Sequence, residues 1–153
     1  MDLILWRHAE AELPRLGQGD MERSLTPKGE RQARRVAAWL NERLPPSTRI
    51  LASPALRTQQ TARALERRFK TASLLAPGRG VDDLLKAACW PDSGEPVLIV
   101  GHQPTLGLVA ARLLAGVEQA WAVKKGAVWW LVHREREGVA QVTLQAVQGP
   151  DKA

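Results

Sequence analysis

The sequence predicts an α/β fold, arranged as a three-layer sandwich with a mostly parallel central sheet. Short apolar runs alternate along the chain with amphipathic segments, which is typical of strands that alternate with helices. Three of these runs stop at Arg, His or Ser. The 153 residues contain no repeat, low-complexity stretch or linker, so a single domain over residues 1–153 is expected.

The predicted strands are short and mostly apolar. They are Leu3–Trp6, Arg49–Ala52, Ser73–Ala76, Pro96–Val100, Ala127–Val132 and Val139–Val147. The segment from Ala9 to Ser24 is rich in Gly, Pro and charge and is predicted to be a loop.

Four helices are predicted between these strands. The first begins at Thr26-Pro27, a hydroxyl cap followed by Pro at the first helical position, and runs to about Leu44. The others are Ala55–Phe69, Val81–Ala88 and Thr105–Leu114, the last of which ends before Gly116.

The composition indicates a globular protein, with 44% apolar and 25% charged residues. The single cysteine, Cys89, excludes an internal disulfide, and its position in a predicted helix favours a packed thiol. The N-terminus lacks the pattern of a signal peptide, and no apolar run is long enough to cross a bilayer. A cytoplasmic protein with no membrane partner is therefore expected.

The net charge of +6 and the pI of about 10.2 allow three kinds of partner: nucleic acid, an anionic surface or a phosphorylated substrate. The basic pairs are dispersed, at Arg34-Arg35, Arg67-Arg68 and Lys124-Lys125. The chain has no Tyr and one Phe, so a stacking platform for nucleic acid is not indicated. Most of these charges are interpreted as solvated helix faces, and no nucleic-acid partner is expected.

Candidate site residues follow three of the predicted strands. Arg7-His8 ends the first, Ser53 follows the second with Arg57 one helical turn later, and Gly101-His102 ends the fourth. The carboxyl ends of parallel strands meet at one edge of a sheet, where ligands bind. Because arginine can bond two oxygens at once, this set predicts a site for a doubly negative tetrahedral anion such as phosphate or sulfate.

Four motifs in the same order resemble those of the histidine phosphatase superfamily, which has the phosphoglycerate mutase-like fold. Arg7-His8-Ala9 resembles its Arg-His-Gly motif, and Leu25 to Gly29 resembles the next motif along the family's sequence. Ser53 to Thr61 is similar to its Ser-Pro-x-x-Arg-x-x-Gln-Thr segment, and Gly101 to Pro104 to its second histidine motif. The short chain and its Arg-His-Ala-Glu-Ala opening look most like the SixA-type phosphohistidine phosphatases.

The resemblance implies a role for each candidate. His8 is the expected nucleophile and becomes phosphohistidine, while Arg7, Arg57 and His102 bind the phosphoryl oxygens and Ser53 contributes to substrate binding. No cofactor is expected. A metal on His8 and His102 would need a third ligand, and although Glu10 and Glu12 are candidates, the nearby arginines would repel a cation.

Two departures from the family pattern bear on the substrate. Ala9 replaces the usual Gly, which indicates that positive φ is not needed there. The segment from Leu75 to Gly80 contains no carboxylate that would act as a general acid. Asp82 and Asp83 follow it, and capping a helix is their favoured role, with acid catalysis as the alternative.

An enzyme without a general acid suits phosphohistidine on proteins, because its P–N bond is labile and its imidazole leaving group can take a proton from solvent. Two alternatives stay open: a small-metabolite phosphomonoesterase of the same superfamily, and a non-catalytic phosphate-binding module. The second would have no need of a nucleophile such as His8.

Overall fold

A six-stranded sheet forms the centre of the structure, a computed structural model that describes residues 1–153. Its strands in chain order are β1 (Asp2–Arg7), β2 (Arg49–Ala52), β3 (Lys70–Thr71), β4 (Val97–Gly101), β5 (Val128–Arg136) and β6 (Val139–Gln148). They lie in the order β3-β2-β4-β1-β5-β6.

Four helices flank the sheet. They are α1 (Pro27–Asn41), α2 (Leu56–Arg63), α3 (Val81–Ala87) and α4 (Thr105–Ala115), and short 3₁₀ turns lie at Asp20–Glu22, Ser73–Leu75 and Pro150–Lys152. The predicted start of α1 is confirmed, since the Thr26 hydroxyl accepts a hydrogen bond from the Gly29 N–H. Gly116 ends α4 with a left-handed conformation.

The sheet is mostly parallel, as predicted. β3, β2, β4 and β1 run in one direction, and β5 and β6 add an antiparallel hairpin beside β1. Arg7 pairs with Gly101 and Ala52 with Val100. The carboxyl ends of β1, β2 and β4 therefore finish side by side at one edge.

Two hydrophobic cores lie on opposite faces of the sheet because alternate strand residues point in opposite directions. Leu3 and Leu5 pack on one face with residues of α3 and α4. Ile4 and Trp6 pack on the other face with residues of α1 and α2. This confirms the three-layer arrangement.

The prediction was wrong in the segment after β2. The second helix ends at Arg63 rather than Phe69, and Glu66 has a positive φ of 54° that no helix continues through. The predicted strand at Ser73–Ala76 is a 3₁₀ turn, and β3 lies earlier, at two exposed residues. Leu75 is apolar because it packs in the core beneath α3, not because it pairs in the sheet.

The packed-thiol interpretation of Cys89 was also wrong. Helix α3 ends at Ala87, and Cys89 lies beyond it with φ 55° and an exposed side chain. No helix of the structure combines the length and hydropathy that crossing a bilayer requires.

Candidate active site

The predicted site residues meet at the carboxyl edge of the sheet. The His8 N–H donates to the Gly101 carbonyl (3.2 Å) and the Ser53 N–H to the Val100 carbonyl (3.1 Å), so the residues that follow three parallel strands are tied together. His8, Ser53, Arg57 and His102 are only 7, 0, 4 and 6% exposed. The fold thus gathers His8 and His102, which are 94 positions apart in the sequence.

His8 is held as a neutral imidazole with one free nitrogen. Its Nδ1 lies 2.7 Å from the carbonyl oxygen of Ala9, so Nδ1 carries the proton and Nε2 keeps its lone pair. Burial is the largest effect on the pKa of His8, which it lowers together with the charges of Arg57 and Arg7 against the opposing effect of the Ala9 bond, to about 4. At neutral pH the ring is therefore uncharged, and the lone pair of Nε2 is available.

His102 faces His8 across the site, with ring centroids 5.4 Å apart. Its Nε2 and the Ser53 hydroxyl form a hydrogen bond of 2.7 Å, and the Ser53 oxygen accepts a bond from the Ala55 N–H (3.3 Å). The Nδ1 atom is buried and has no partner in the protein. Burial, followed by the charge of Arg57, lowers the pKa of His102 to about 3.

Arg7 is half-buried at the end of β1. Its Nη1 donates to the Val123 carbonyl (3.0 Å), whereas its Nε is buried without a hydrogen-bond partner. Burial lowers the pKa of this guanidinium, since removing a cation from water disfavours the charged form. A bound anion would supply the missing acceptor and offset this cost.

Arg57 lies in the first turn of α2 and points back towards the strand ends, as the sequence predicts. Its Nη1 donates to the backbone carbonyl of Asp20 (2.8 Å) and its Nη2 to the carboxylate of Asp20 (3.0 Å). Its Nε is buried without a partner. The buried guanidinium therefore directs two of its N–H donors at Asp20, a residue of the loop after His8.

Sequence reasoning missed Asp20 and Arg23, both in the loop that follows His8. The Arg23 guanidinium donates to the Asp20 carboxylate (3.1 Å) and to the Glu12 carbonyl (2.8 Å), and its charge contributes to the lowered pKa of His8. Burial works against ionisation of Asp20, but the bonds from Arg23 and Arg57 outweigh it and lower the pKa of the carboxyl. Asp20 is thus an anion that already contacts two arginines.

The other motif residues hold the loop after His8 in place. A Cβ at Gly29 would collide with the Glu10 carbonyl, so only glycine lets α1 approach this loop. The Thr61 hydroxyl accepts a bond from the Ala9 N–H (3.2 Å), and the Gln60 side chain accepts one from the Leu25 N–H (2.7 Å). Ala9 lacks positive φ, which confirms that alanine can replace glycine there.

Asp82 and Asp83 both have structural partners, and the predicted capping role is confirmed for Asp83 alone. The Asp83 carboxylate accepts a bond from the Gly80 N–H (3.3 Å) and pairs with Arg79 (3.2 Å) at the start of α3. Asp82 pairs with Arg112 (2.6 Å). Neither carboxylate forms a hydrogen bond with a residue of the candidate site.

Comparison with known proteins identifies the family. The model of the histidine phosphatase superfamily (branch 1) matches residues 3–79. An uncharacterised protein of Mycobacterium tuberculosis is 32% identical over 127 residues, which cover 76% of this chain and 75% of that protein. The chain belongs to the histidine phosphatase superfamily.

Solved structures agree with this assignment. The SixA protein of Nakamurella multipartitia is 27% identical, with a TM-score of 0.79 and coverage of 97% of this chain and 95% of that one. The protein histidine phosphatase SixA complexed with tungstate is 24% identical, with a TM-score of 0.80 and coverage of 99% and 98%. A phosphoserine phosphatase of Entamoeba histolytica has the same fold at 18% identity, TM-score 0.72 and coverage of 97% and 96%. The fold alone therefore does not identify the substrate.

Proposed function

We propose that this chain hydrolyses phosphohistidine on proteins through a covalent intermediate on His8. One observation carries the proposal: a neutral His8 with a free Nε2 lies among buried groups that lack hydrogen-bond partners. Of the four buried side-chain N and O atoms without a partner, three belong to Arg7, Arg57 and His102. Buried polar groups are rarely left unpaired, and a phosphoryl group would supply acceptors for the two arginines.

The first step transfers the phosphoryl group to the enzyme. The His8 Nε2 lone pair attacks phosphorus, the bond from phosphorus to the substrate nitrogen breaks, and the imidazole leaving group takes a proton from solvent. Arg7 and Arg57 hold the phosphoryl oxygens, and the site is fixed before the reaction because the backbone bonds of three strands position it.

The second step releases phosphate. Water attacks phosphorus, the bond to His8 Nε2 breaks, the water proton passes to solvent, and neutral His8 is restored. The bond from His8 Nδ1 to the Ala9 carbonyl supports both steps because it fixes the ring tautomer and stabilises the positive charge on the phosphorylated imidazole. Ser53 supports the second imidazole by orienting His102.

The carboxylates near the site favour a substrate that needs no general acid. Asp20 is the carboxylate that contacts Arg57, and its lowered pKa leaves it without a proton to donate. Asp82 and Asp83 are engaged by other arginines. A general acid contributes roughly 10²–10⁴-fold to the rate, so an alkoxide leaving group should be disfavoured by a similar factor relative to imidazole.

A pair of peptides tests the proposal. The two have one sequence and carry either phosphohistidine or phosphoserine, and kcat/KM is measured for each with wild-type protein and the His8→Ala variant. We expect the phosphohistidine peptide to be preferred by about 100-fold or more, with no turnover by the variant. Equal rates, or a preference for phosphoserine, would favour the phosphomonoesterase alternative, and phosphate binding without turnover would favour a binding module.

A further inference from the structure

We propose that a basic groove beside the active site binds an acidic surface of the protein that carries the phosphorylated residue. The groove begins at Arg7 and continues past Lys124 and Lys125 to Lys152 and the exposed side of α1. This inference rests on the phosphatase activity proposed above and adds the chemistry of the substrate around its phosphoryl group.

The charge of this groove is strongly unbalanced. Arg7, Lys124, Lys125 and Lys152 line its first part, which encloses about 710 Å³, and Asp151 is the carboxylate among the lining residues. The second part shares Asp151 and adds three more cations, Lys28, Arg31 and Arg35. None of these seven cations takes part in an ion pair. Their mutual repulsion disfavours the folded state, and an anionic partner would offset it.

The turn that carries the two lysines is fixed to the catalytic strand. The Gly126 N–H donates to the His8 carbonyl (3.0 Å), the Trp6 indole donates to the Gly126 carbonyl (3.0 Å), and Arg7 donates to the Val123 carbonyl (3.0 Å). The turn itself closes through a bond from the Ala127 N–H to the Lys124 carbonyl (2.9 Å). Lys124 and Lys125 thus lie at a set distance from the attacking imidazole, although their side chains are exposed.

The lining favours a protein over a nucleic acid. Trp129 is the aromatic residue of the groove, and it is half-buried with its ring 6.1 Å from that of Trp121. Single-stranded nucleic acid is bound through successive bases that stack on several aromatic side chains, which this groove does not offer. Carboxylates on the substrate protein would meet the lysines as the phosphoryl group enters beside Arg7, and such complementarity raises the association rate and fixes the orientation.

The test compares two phosphohistidine peptides that differ only in flanking residues, glutamate in one and glutamine in the other. Wild type is compared with a Lys124→Glu/Lys125→Glu double variant and with a matched control, Arg134→Glu/Arg136→Glu. The control changes the net charge by the same amount. Its two residues are exposed and lie on the part of β5 that extends beyond the Asp2 end of β1, at the end of the sheet opposite the site. We measure kcat/KM at low and high salt, and hydrolysis of phosphoramidate reports the phosphatase activity without flanking residues.

We expect wild type to prefer the acidic peptide by roughly tenfold at low salt and to lose the preference at high salt. The lysine double variant should lose the preference at low salt, while the arginine control keeps it. This inference alone would be overturned if wild type hydrolysed phosphoramidate normally but did not prefer the acidic peptide. It would also be overturned if the lysine variant and the arginine control lost that preference equally. A binding measurement compares a single-stranded RNA oligomer with the acidic peptide in its unphosphorylated form. Tighter binding of the RNA to the groove would also overturn the inference. No hydrolysis of any of the three substrates would overturn the proposed function instead.

Discussion

Replacing Arg57 with alanine should weaken the binding of phosphate by about 10- to 100-fold. Arg57 is 4% exposed and directs Nη1 and Nη2 at acceptors 2.8 and 3.0 Å away, both belonging to Asp20. Each hydrogen bond to a charged group contributes about 1.5–3 kcal/mol. Because Asp20 already occupies Nη1 and Nη2 and the Nε donor is the one without a partner, we expect the loss to equal about one such bond, or roughly 1.5–3 kcal/mol.

Isothermal titration with phosphate, or competitive inhibition by vanadate, measures this loss directly. Arg63→Ala is the matched control because Arg63 lies at the exposed end of the same helix and its loss changes the net charge equally. Arg57→Lys should recover only part of the affinity, since lysine cannot reproduce the planar guanidinium. Equal phosphate affinity in wild type and Arg57→Ala would refute the placement of Arg57 in the site.

Four further predictions follow from the charges around His8. Asp20→Asn should tighten phosphate binding about fivefold, because it removes a like charge worth about 1 kcal/mol at the solvent-exposed edge of the site; weaker binding in a titration would contradict this. The ring signals of His8 and His102 should titrate in NMR near pH 4 and 3, and midpoints near 6.5 would contradict their burial. Because folding lowers the pKa of both histidines, the stability that they contribute should be complete above about pH 6.5 and should fall as the pH drops towards 3. Chemical denaturation at several pH values measures this loss in the free energy of unfolding. A chelator should leave turnover unchanged, since three arginines surround the imidazoles; loss of activity restored by a divalent ion would contradict this.

The parts of the site that follow strands could be predicted from the sequence. His8, Ser53 and His102 each come within two residues of the end of a short apolar run. The rule that parallel strands finish at one edge is enough to bring them together. The position of Arg57 could be predicted for a similar reason. Ser53-Pro54 marks the end of a strand, and this places residue 57 in the first turn of the helix that follows.

The loop contribution could not be predicted. Asp20 and Arg23 lie in a segment rich in Gly, Pro and charge that has neither helical nor strand periodicity, so nothing in the local pattern gives its path. One indirect signal exists, since a buried Arg57 requires a hydrogen-bond acceptor. The sequence contains several carboxylates, and no pattern indicates which of them contacts Arg57. The Ser73–Ala76 error has a related cause, since a short apolar run packs in a core equally well as a strand or as a 3₁₀ turn.

The covalent intermediate on His8 is the most direct test of the account. Wild-type protein and the His8→Ala variant are mixed with a phosphohistidine peptide, quenched in alkali within one turnover, digested and analysed by mass spectrometry. We predict one phosphoryl group on the peptide that contains His8 in wild type, and neither label nor turnover in the variant. Turnover by His8→Ala, or a wild-type reaction that leaves His8 unlabelled while phosphate is released, would contradict the account.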